Sequence, residues 1–284
     1  MTAPNAAHWR RRKALGQHFL VDQLILGRIV AAAELSPADV VLEVGPGSGF
    51  LTRQLVRHAG LVVAVEKDPH LAAALPARLD FPPNLRVVEG DARDMDLVAL
   101  LGEGTEYKVV ANLPYYAANP IVRRFLEDEP RPKLLVVMVQ QEVALGMTAQ
   151  PGDMSLLSVA TQFYALPQLI CNVPPRAFRP PPKVTSGVVR LAVRPAPAVA
   201  MTDVASFFRV VRAGFSAPRK QLRNSLGHGL GLTGPAVDQL LEAAGVDGRR
   251  RAETLSLEEW GQVYRAGRAG EEGGNDANPG LRQA

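Results

Sequence analysis

Hydrophobic positions along this chain alternate between two rhythms. Short continuous apolar runs stand at Val40-Val41-Leu42-Glu43-Val44, Leu61 to Val65, Leu85-Arg86-Val87-Val88-Glu89, Lys108-Val109-Val110-Ala111 and Leu134 to Val139. They are rich in Val and Leu, and the pattern predicts strands of a parallel sheet buried on both faces. Between them apolar residues recur at helical spacing. Leu24, Ile25, Ile29 and Val30 follow Asp22, Phe50 to His58 follows a Gly-rich turn, Ile121 to Leu126 follows Asn119-Pro120, and Ser155 to Tyr164 closes the series. Asn119 is placed to cap its helix and Pro120 suits the first turn. Strand and helix in alternation predict an open, mostly parallel α/β sheet. Gln168 to Val173 and Val184 to Val193 read as a closing strand pair around a Pro-rich loop.

After the linker-like Arg194-Pro195-Ala196-Pro197-Ala198 the rhythm is helical only, at 203–213, 218–228, 235–244 and 256–266. The expected organisation is a basic arm at 1–13, an α/β domain at 14–197, a smaller all-helical domain at 202–266, and a Gly- and charge-rich tail at 267–284 without fixed structure.

The chemistry gathers where the strands end, the edge at which open α/β sheets bind ligands. Val44 runs into Gly45-Pro46-Gly47-Ser48-Gly49. Position 50 is Phe and position 52 is Thr, so neither frame completes the G-x-G-x-x-G of a dinucleotide turn. The pattern is E-x-G-x-G-x-G: glycines that let the backbone approach a ligand at a helix start, and a carboxylate, Glu43, that suits a cationic group better than a pyrophosphate. Glu66 ends the second strand and is placed to accept from ribose hydroxyls, while Asp91, after the third, is placed to accept from an adenine amine. Adenine, ribose and an amino acid end describe S-adenosylmethionine rather than NAD. After the fourth run come Asn112-Leu113-Pro114-Tyr115. Pro114 biases Leu113 away from the helical region and leaves its carbonyl free. The Asn112 oxygen and that carbonyl together suit the two hydrogens of an exocyclic amine, and Tyr115 offers a face for a flat base. Plain structural readings stand beside these: a tight turn for the glycines, solvated turns for the acids, a packed Tyr, and a solvated or core histidine for His18.

Composition narrows the setting. The 284 residues are 47% hydrophobic, with net charge +4 and pI about 9.4, which favours a polyanionic partner. The single Cys171 excludes an intrachain disulfide or a cysteine-cluster zinc site and suits a reducing compartment. No apolar run has the length of a membrane span. His8-Trp9-Arg10-Arg11-Arg12-Lys13 lacks the apolar core of a signal peptide and is short and Ser-poor for a transit peptide, so it reads as a basic arm. Arg219, Lys220 and Arg223, expected together on a helix opening at Ser216-Ala217-Pro218, and the Arg249-Arg250-Arg251 turn are candidate RNA-backbone contacts; a merely solvated basic face is the alternative.

Gln17-His18-Phe19-Leu20, the E-x-G-x-G-x-G turn, Glu66, Gly90-Asp91 and Asn112 to Tyr115 occur in an order that resembles the ribosomal RNA adenine dimethyltransferases. Val173-Pro174-Pro175-Arg176-Ala177-Phe178-Arg179-Pro180-Pro181-Pro182-Lys183-Val184-Thr185-Ser186 is similar to that family's Phe-x-Pro-x-Pro-Lys-Val-x-Ser segment. The resemblance spans about residues 13–265. Phe215-Ser216 and Arg219 to Leu226 are similar to the small-subunit (16S-type) branch. The resemblance implies a Rossmann-like class I methyltransferase domain with S-adenosylmethionine as methyl donor, no metal, and small-subunit rRNA as partner, with two adjacent adenines near its 3′ end dimethylated at N6 during ribosome assembly. It implies a cytoplasmic monomer without membrane contact. His18 and Leu20 would line the cofactor pocket, with Glu43, Gly45 and Gly47 at the methionine part, Glu66 at the ribose and Asp91 at the adenine. Asn112 would contact both cofactor and target amine, Leu113 would supply its carbonyl, and Tyr115 and Phe178 would sandwich the target base. Relatives often carry Asn where His18 and Tyr116 stand. Two other readings are a large-subunit enzyme of the macrolide-resistance type and a non-catalytic assembly or transcription factor on the same fold.

Overall fold

The computed structural model describes residues 18–201 and 203–273, the last four of them by backbone alone. The basic arm, Leu15-Gly16-Gln17 and residues 274–284 lie outside the described residues. In chain order the elements are β1 (Phe19–Leu20), α1 (Gln23–Ala33), β2 (Val40–Val44), α2 (Thr52–His58), β3 (Leu61–Glu66), α3 (Pro69–Arg78), β4 (Leu85–Glu89), α4 (Leu97–Leu101), β5 (Tyr107–Asn112), α5 (Ala118–Glu127) and β6 (Leu134–Gln140). There follow α6 (Gln141–Thr148), α7 (Leu156–Tyr164), β7 (Ala165–Val173), β8 (Phe178–Arg179), β9 (Ser186–Val193), α8 (Val204–Phe215), α9 (Leu222–Leu230), α10 (Gly234–Ala243) and α11 (Leu257–Gly273). Among the described residues no helix is long and apolar enough to cross a membrane.

The expected strands all form, in a seven-stranded sheet of order β4-β3-β2-β5-β6-β9-β7. From β4 to β6 every neighbouring pair is parallel. The chain builds outward from β2 through β3 to β4, then returns to lay β5 on the other side of β2. That reversal opens a crevice at the carboxyl ends of β2 and β5. The Val- and Leu-rich runs of β2, β3, β5 and β6 are buried, as double-sided coverage requires, whereas β4, at the edge of the sheet, is only half-buried and exposes Arg86 and Glu89, against the expectation from its pattern. Apart from the sheet, β1 and β8 form an antiparallel strip that pairs Leu20 with Phe178.

The described residues fall into two compact units, one within Met1–Gln141 and Leu169–Arg190, the other within Glu142–Gln168 and Leu191–Ala284. The boundary therefore does not lie at the linker after Val193. Residues 142–168 group with the C-terminal helices because α7 ends in aromatics that pack there: Phe163 lies 5.1 Å from Phe207, ring to ring, and 5.3 Å from Phe208. Burying such rings outweighs sequence proximity to the sheet.

Several boundaries differ from the pattern-based ones for local reasons. Leu24 is 80% exposed, and Leu26 takes its place on the buried face of α1. α5 starts at Ala118 after a 3₁₀ turn at Tyr115–Ala117, so Asn119 sits inside the first turn and caps nothing. α9 starts only at Leu222: Lys220 N–H closes a turn on the Ala217 carbonyl and Gln221 is extended, which leaves Arg219 and Lys220 in the turn and off the helix. α11 continues to Gly273, through the first part of the tail expected to be without structure. Arg268, Ala269, Glu271 and Glu272 are good helix formers, and intrinsic propensity carries the helix past its apolar stripe.

Two glycines in helices set up opposite outcomes for one substitution. A Cβ on Gly27 in α1 meets nothing within 4 Å, whereas a Cβ on Gly229 in α9 falls 2.5 Å from the Ala213 backbone. Gly27→Ala is expected to stabilise by up to about 1 kcal/mol. Gly229→Ala is expected to destabilise by about 1–3 kcal/mol because backbone must move. Urea unfolding midpoints of the two variants against the parent check both signs.

Candidate active site

The ladder registers put the strand ends side by side. Val44 pairs with Val65 on one flank and Ala111 on the other, and Glu66 pairs with Glu89. Gly45, Glu66, Gly90-Asp91 and Asn112 therefore emerge along one edge of the sheet, and all line a single pocket within one unit, with about 1120 Å³ of empty space when its open mouth is included. His18, Leu20, Glu43, Gly47, Leu113, Tyr115 and Phe178 line it as well, so every residue the sequence nominated for cofactor or target base converges there.

At the β2 end, Gly45, Gly47 and Gly49 have φ of +69°, +56° and +83°, a left-handed backbone that residues with a Cβ rarely adopt. Gly47 also lacks room, since a Cβ there would sit 2.7 Å from the Phe19 ring. Gly47 N–H donates to the Glu66 carboxylate at 3.0 Å, and Asp68 N–H donates to its other oxygen at 2.9 Å. Burial raises the Glu66 pKa, and these two backbone donors work against that rise. Glu43 is 1% exposed and its Oε2 has no hydrogen-bond partner. Burial pushes its pKa up to about 8; the neighbouring Thr52 side chain opposes the rise without a formed hydrogen bond, and the charge of Glu66 adds to it. A buried carboxyl oxygen with nothing to bind, beside glycine backbone with no Cβ, fits a ligand's cationic group.

At the β5 end, Leu113 N–H donates to the Met138 carbonyl, so the ladder holds the motif's backbone. No described group donates to the Leu113 carbonyl. Pro114 is extended and the Tyr115–Ala117 turn follows. Asn112 Nδ2 donates to the His18 backbone carbonyl at 3.3 Å, which leaves Oδ1 as the free acceptor of that amide. The Tyr115 hydroxyl shares a 2.7 Å hydrogen bond with Ser186. Its ring stacks on His18, with centroids 6.0 Å apart, and His18 Nδ1 bonds the Pro180 carbonyl at 2.8 Å. Phe178, in β8 and paired with Leu20, lines the same pocket but is only 1% exposed.

Asp91 is not idle. Arg93 grips it through several N–H groups and Lys67 adds a 2.9 Å contact, and together they hold its carboxyl well below the usual carboxylate range. From α5, Arg124 donates to the carbonyls of Ala92 and Met95, tying the loop that carries Asp91 to the helix that follows Tyr115. Lys67, Arg93, Arg124 and Ser186 were not singled out in the sequence. Ser186 ends the quoted Lys-Val-x-Ser segment and so had a signal; isolated Lys and Arg residues had none.

The sequence model of the family described as ribosomal RNA adenine dimethylase matches residues 9–266. The chain belongs to this family. It is similar to a protein of Dehalococcoides mccartyi named ribosomal RNA small subunit methyltransferase A, at 48% identity over 88% of this chain and 86% of the relative. A protein of the same name from Pelotomaculum thermopropionicum is 47% identical over 89% and 90%. Among solved structures, the 23S rRNA methyltransferase ErmE is 30% identical with TM-score 0.72, covering 87% of this chain and 98% of that one. A dimethyladenosine transferase from Plasmodium falciparum is 25% identical with TM-score 0.76, covering 88% and 98%.

In this rRNA adenine dimethylase the basic residues of the second unit divide into two groups. Arg219 and Lys220 are exposed and enter no ion pair among the described residues. Arg223 pairs with Asp238, Arg249 with Asp247, and Arg250 with Glu259 while also holding Thr254. Leu222 and Arg223 N–H groups bond the Arg250 and Gly248 carbonyls, so the two basic stretches do meet. The pairs of Arg223 and Arg249 are exposed and yield readily to a phosphate. Arg250 fastens the start of α11.

The Glu43 environment makes a pH prediction. Its pKa rises from 4.5 to about 8 on folding, so the folded protein keeps a proton that the unfolded chain has lost. That contribution is complete below about pH 4.5 and disappears as pH climbs to about 8. Glu43→Gln, which never ionises, is therefore expected to match the parent near pH 4.5 and exceed it by up to a few kcal/mol at pH 8, at about 1.4 kcal/mol per pKa unit. Melting temperatures of the cofactor-free proteins across pH 5–8.5 read this out; parallel curves would disprove the buried, unpartnered carboxyl.

Proposed function

We propose that this dimethylase transfers methyl groups from S-adenosylmethionine to N6 of adenines in small-subunit rRNA, in the cytoplasm and as a monomer. The observation that carries the reading is the pair of unoccupied acceptors, Asn112 Oδ1 and the Leu113 carbonyl, beside the glycine turn at the point where the sheet order reverses. Identity of 48% to a small-subunit enzyme, against 30% to a large-subunit one, favours the small subunit over the macrolide-resistance type of target. The site residues all come from one unit of one chain, which suits a monomer.

When bound, S-adenosylmethionine supplies an electrophilic methyl on a sulfonium. The chain's residues supply position and electrostatics. Glu43 with the Gly45 and Gly47 backbone holds the cationic amino acid end. Glu66 takes the ribose hydroxyls with the lone pairs its two backbone bonds leave free. Asp91 takes the adenine amine in exchange for contacts with Lys67 and Arg93. Leu20 and the His18 main chain close the pocket. The target adenine's amine is a weak nucleophile because its lone pair is delocalised into the ring. Asn112 Oδ1 and the Leu113 carbonyl, accepting both of its hydrogens, favour a pyramidal nitrogen with its lone pair aimed at the methyl. Tyr115 presents its ring to the base, with Phe178 behind. Arg219 and Lys220, joined by Arg223 and Arg249, bind phosphates. An assembly or transcription factor without activity would have no use for two adjacent, unoccupied acceptors lining this pocket.

Asn112→Ala removes one acceptor together with the long 3.3 Å bond to the His18 carbonyl. It is expected to lower kcat by about 10²–10³ while costing no more than about 1 kcal/mol of stability, so the loss of activity far exceeds any loss of folded protein. Tritium transfer from labelled S-adenosylmethionine to small subunits lacking dimethyladenine tests this, with large subunits in parallel. Undiminished transfer by the variant would remove Asn112 from the chemistry, and label in large-subunit RNA alone would overturn the substrate.

A further inference from the structure

Tyr116 has no role in the site described so far, yet it is 57% exposed at the rim of the same pocket. It follows Tyr115 in a 3₁₀ turn, where successive side chains point about 120° apart. Tyr115 therefore turns inward to Ser186 while Tyr116 turns out to the mouth. Arg93 and Lys67 lie on the same rim. The Arg93 side chain is 38% exposed and bonds Asp91 through Nε and Nη2, so it reaches a phosphate once a ligand on Asp91 loosens that grip. An uncovered aromatic face beside a cation, next to a pocket for a single flat base, is the arrangement with which proteins hold a run of unpaired nucleotides.

We propose that Tyr116 and Arg93 form a subsite for the nucleotide next to the target adenine, the Tyr116 ring stacking on that neighbour's base and the Arg93 guanidinium taking its phosphate. The inference rests on the rRNA reading above. Tyr116 is thus a positioning residue: it holds the strand so that the target base enters the Tyr115 pocket, and it touches neither the cofactor nor the reacting amine. Stacking is indifferent to base identity, so the subsite accepts whichever neighbour the first or second modified adenine presents. When the cofactor's adenine takes Asp91, Arg93 is released toward RNA, so cofactor binding strengthens the subsite.

The test uses the full-length protein with Tyr116→Ala, Tyr116→Phe and Arg93→Ala. Affinity for unmethylated small subunits is measured in the presence of S-adenosylhomocysteine, and cofactor affinity and methyl transfer are measured separately. Tyr116→Ala is expected to weaken subunit binding and raise KM for subunits about tenfold or more, the loss of one base stack, with cofactor Kd unchanged. Tyr116→Phe keeps the ring and is expected to behave as the parent. Arg93→Ala is expected to reduce the salt dependence of binding by about one phosphate contact. Parent-like subunit affinity in Tyr116→Ala overturns the subsite, as does equal weakness in Tyr116→Phe, or a fall in cofactor affinity that accounts for the loss. A parent protein that neither binds nor methylates small subunits overturns the rRNA reading itself, so the two failures are distinguishable.

Discussion

The carboxylate of Glu66, taken out of water and gripped by two backbone N–H groups, holds the ligand edge of the sheet together. One of its oxygens accepts from Gly47 in the turn after β2 and the other from Asp68 in the turn after β3. Burying a carboxylate is costly, and this one is affordable only because both oxygens are satisfied. Its grip keeps the glycine turn in a left-handed path that an unrestrained chain would leave. The turn in turn receives Phe19, whose ring occupies the space a side chain on Gly47 would need. Phe19 belongs to β1, β1 pairs with β8, and β8 carries Phe178. The glycine turn and the Phe178 side of the pocket are thus linked through a strip two residues wide.

The same connection explains how much could be read from the chain alone. Strands buried on both faces leave near-unbroken Val and Leu runs, so β2, β3, β5 and β6 were legible to within a residue or so, and the half-buried edge strand β4 was legible from Leu85, Val87 and Val88 alone. Their order made the strand-end residues converge, because consecutive βα units deliver each carboxyl end to the same edge. Glu43, Glu66, Asp91 and Asn112 could therefore be nominated without coordinates. Side chains that act across large sequence separations could not. Arg124 reaching the loop of Asp91, and Lys67 reaching Asp91 itself, have no local periodicity that would distinguish them from solvated cations, and even Arg93, two residues from Asp91, carries no such pattern. The unit boundary was illegible for a similar reason. Proline punctuation near residue 195 is a local signal, whereas the grouping of α7 with α8 depends on Phe163, Phe207 and Phe208 meeting in space. The basic residues show a third limit of local signals. Composition identifies Arg223, Arg249 and Arg250 as positive, but only geometry reveals that each already has a carboxylate.

His18 shows how a position can be used while its residue type stays free. The contact that matters to Asn112 is with the His18 carbonyl, which any residue supplies. A backbone acceptor fixes which end of the Asn112 amide faces the pocket, and so makes Oδ1 available to an amine. The imidazole takes up a separate task, bonding the Pro180 carbonyl and stacking on Tyr115. Those two contacts bind β1 to the Pro-rich loop on one side and to the catalytic turn on the other. In the proposed reading, a base stacking on Tyr115 shares that ring with His18, and Phe178 is only 1% exposed, so both must give way. Both residues lie in or next to the β1–β8 strip, a ladder of two residue pairs that is less costly to shift than the five-pair ladders of the sheet. In that reading the glycine turn and the β5 terminus stay fixed for transfer, and the two-residue strip is the part that yields to the substrate base.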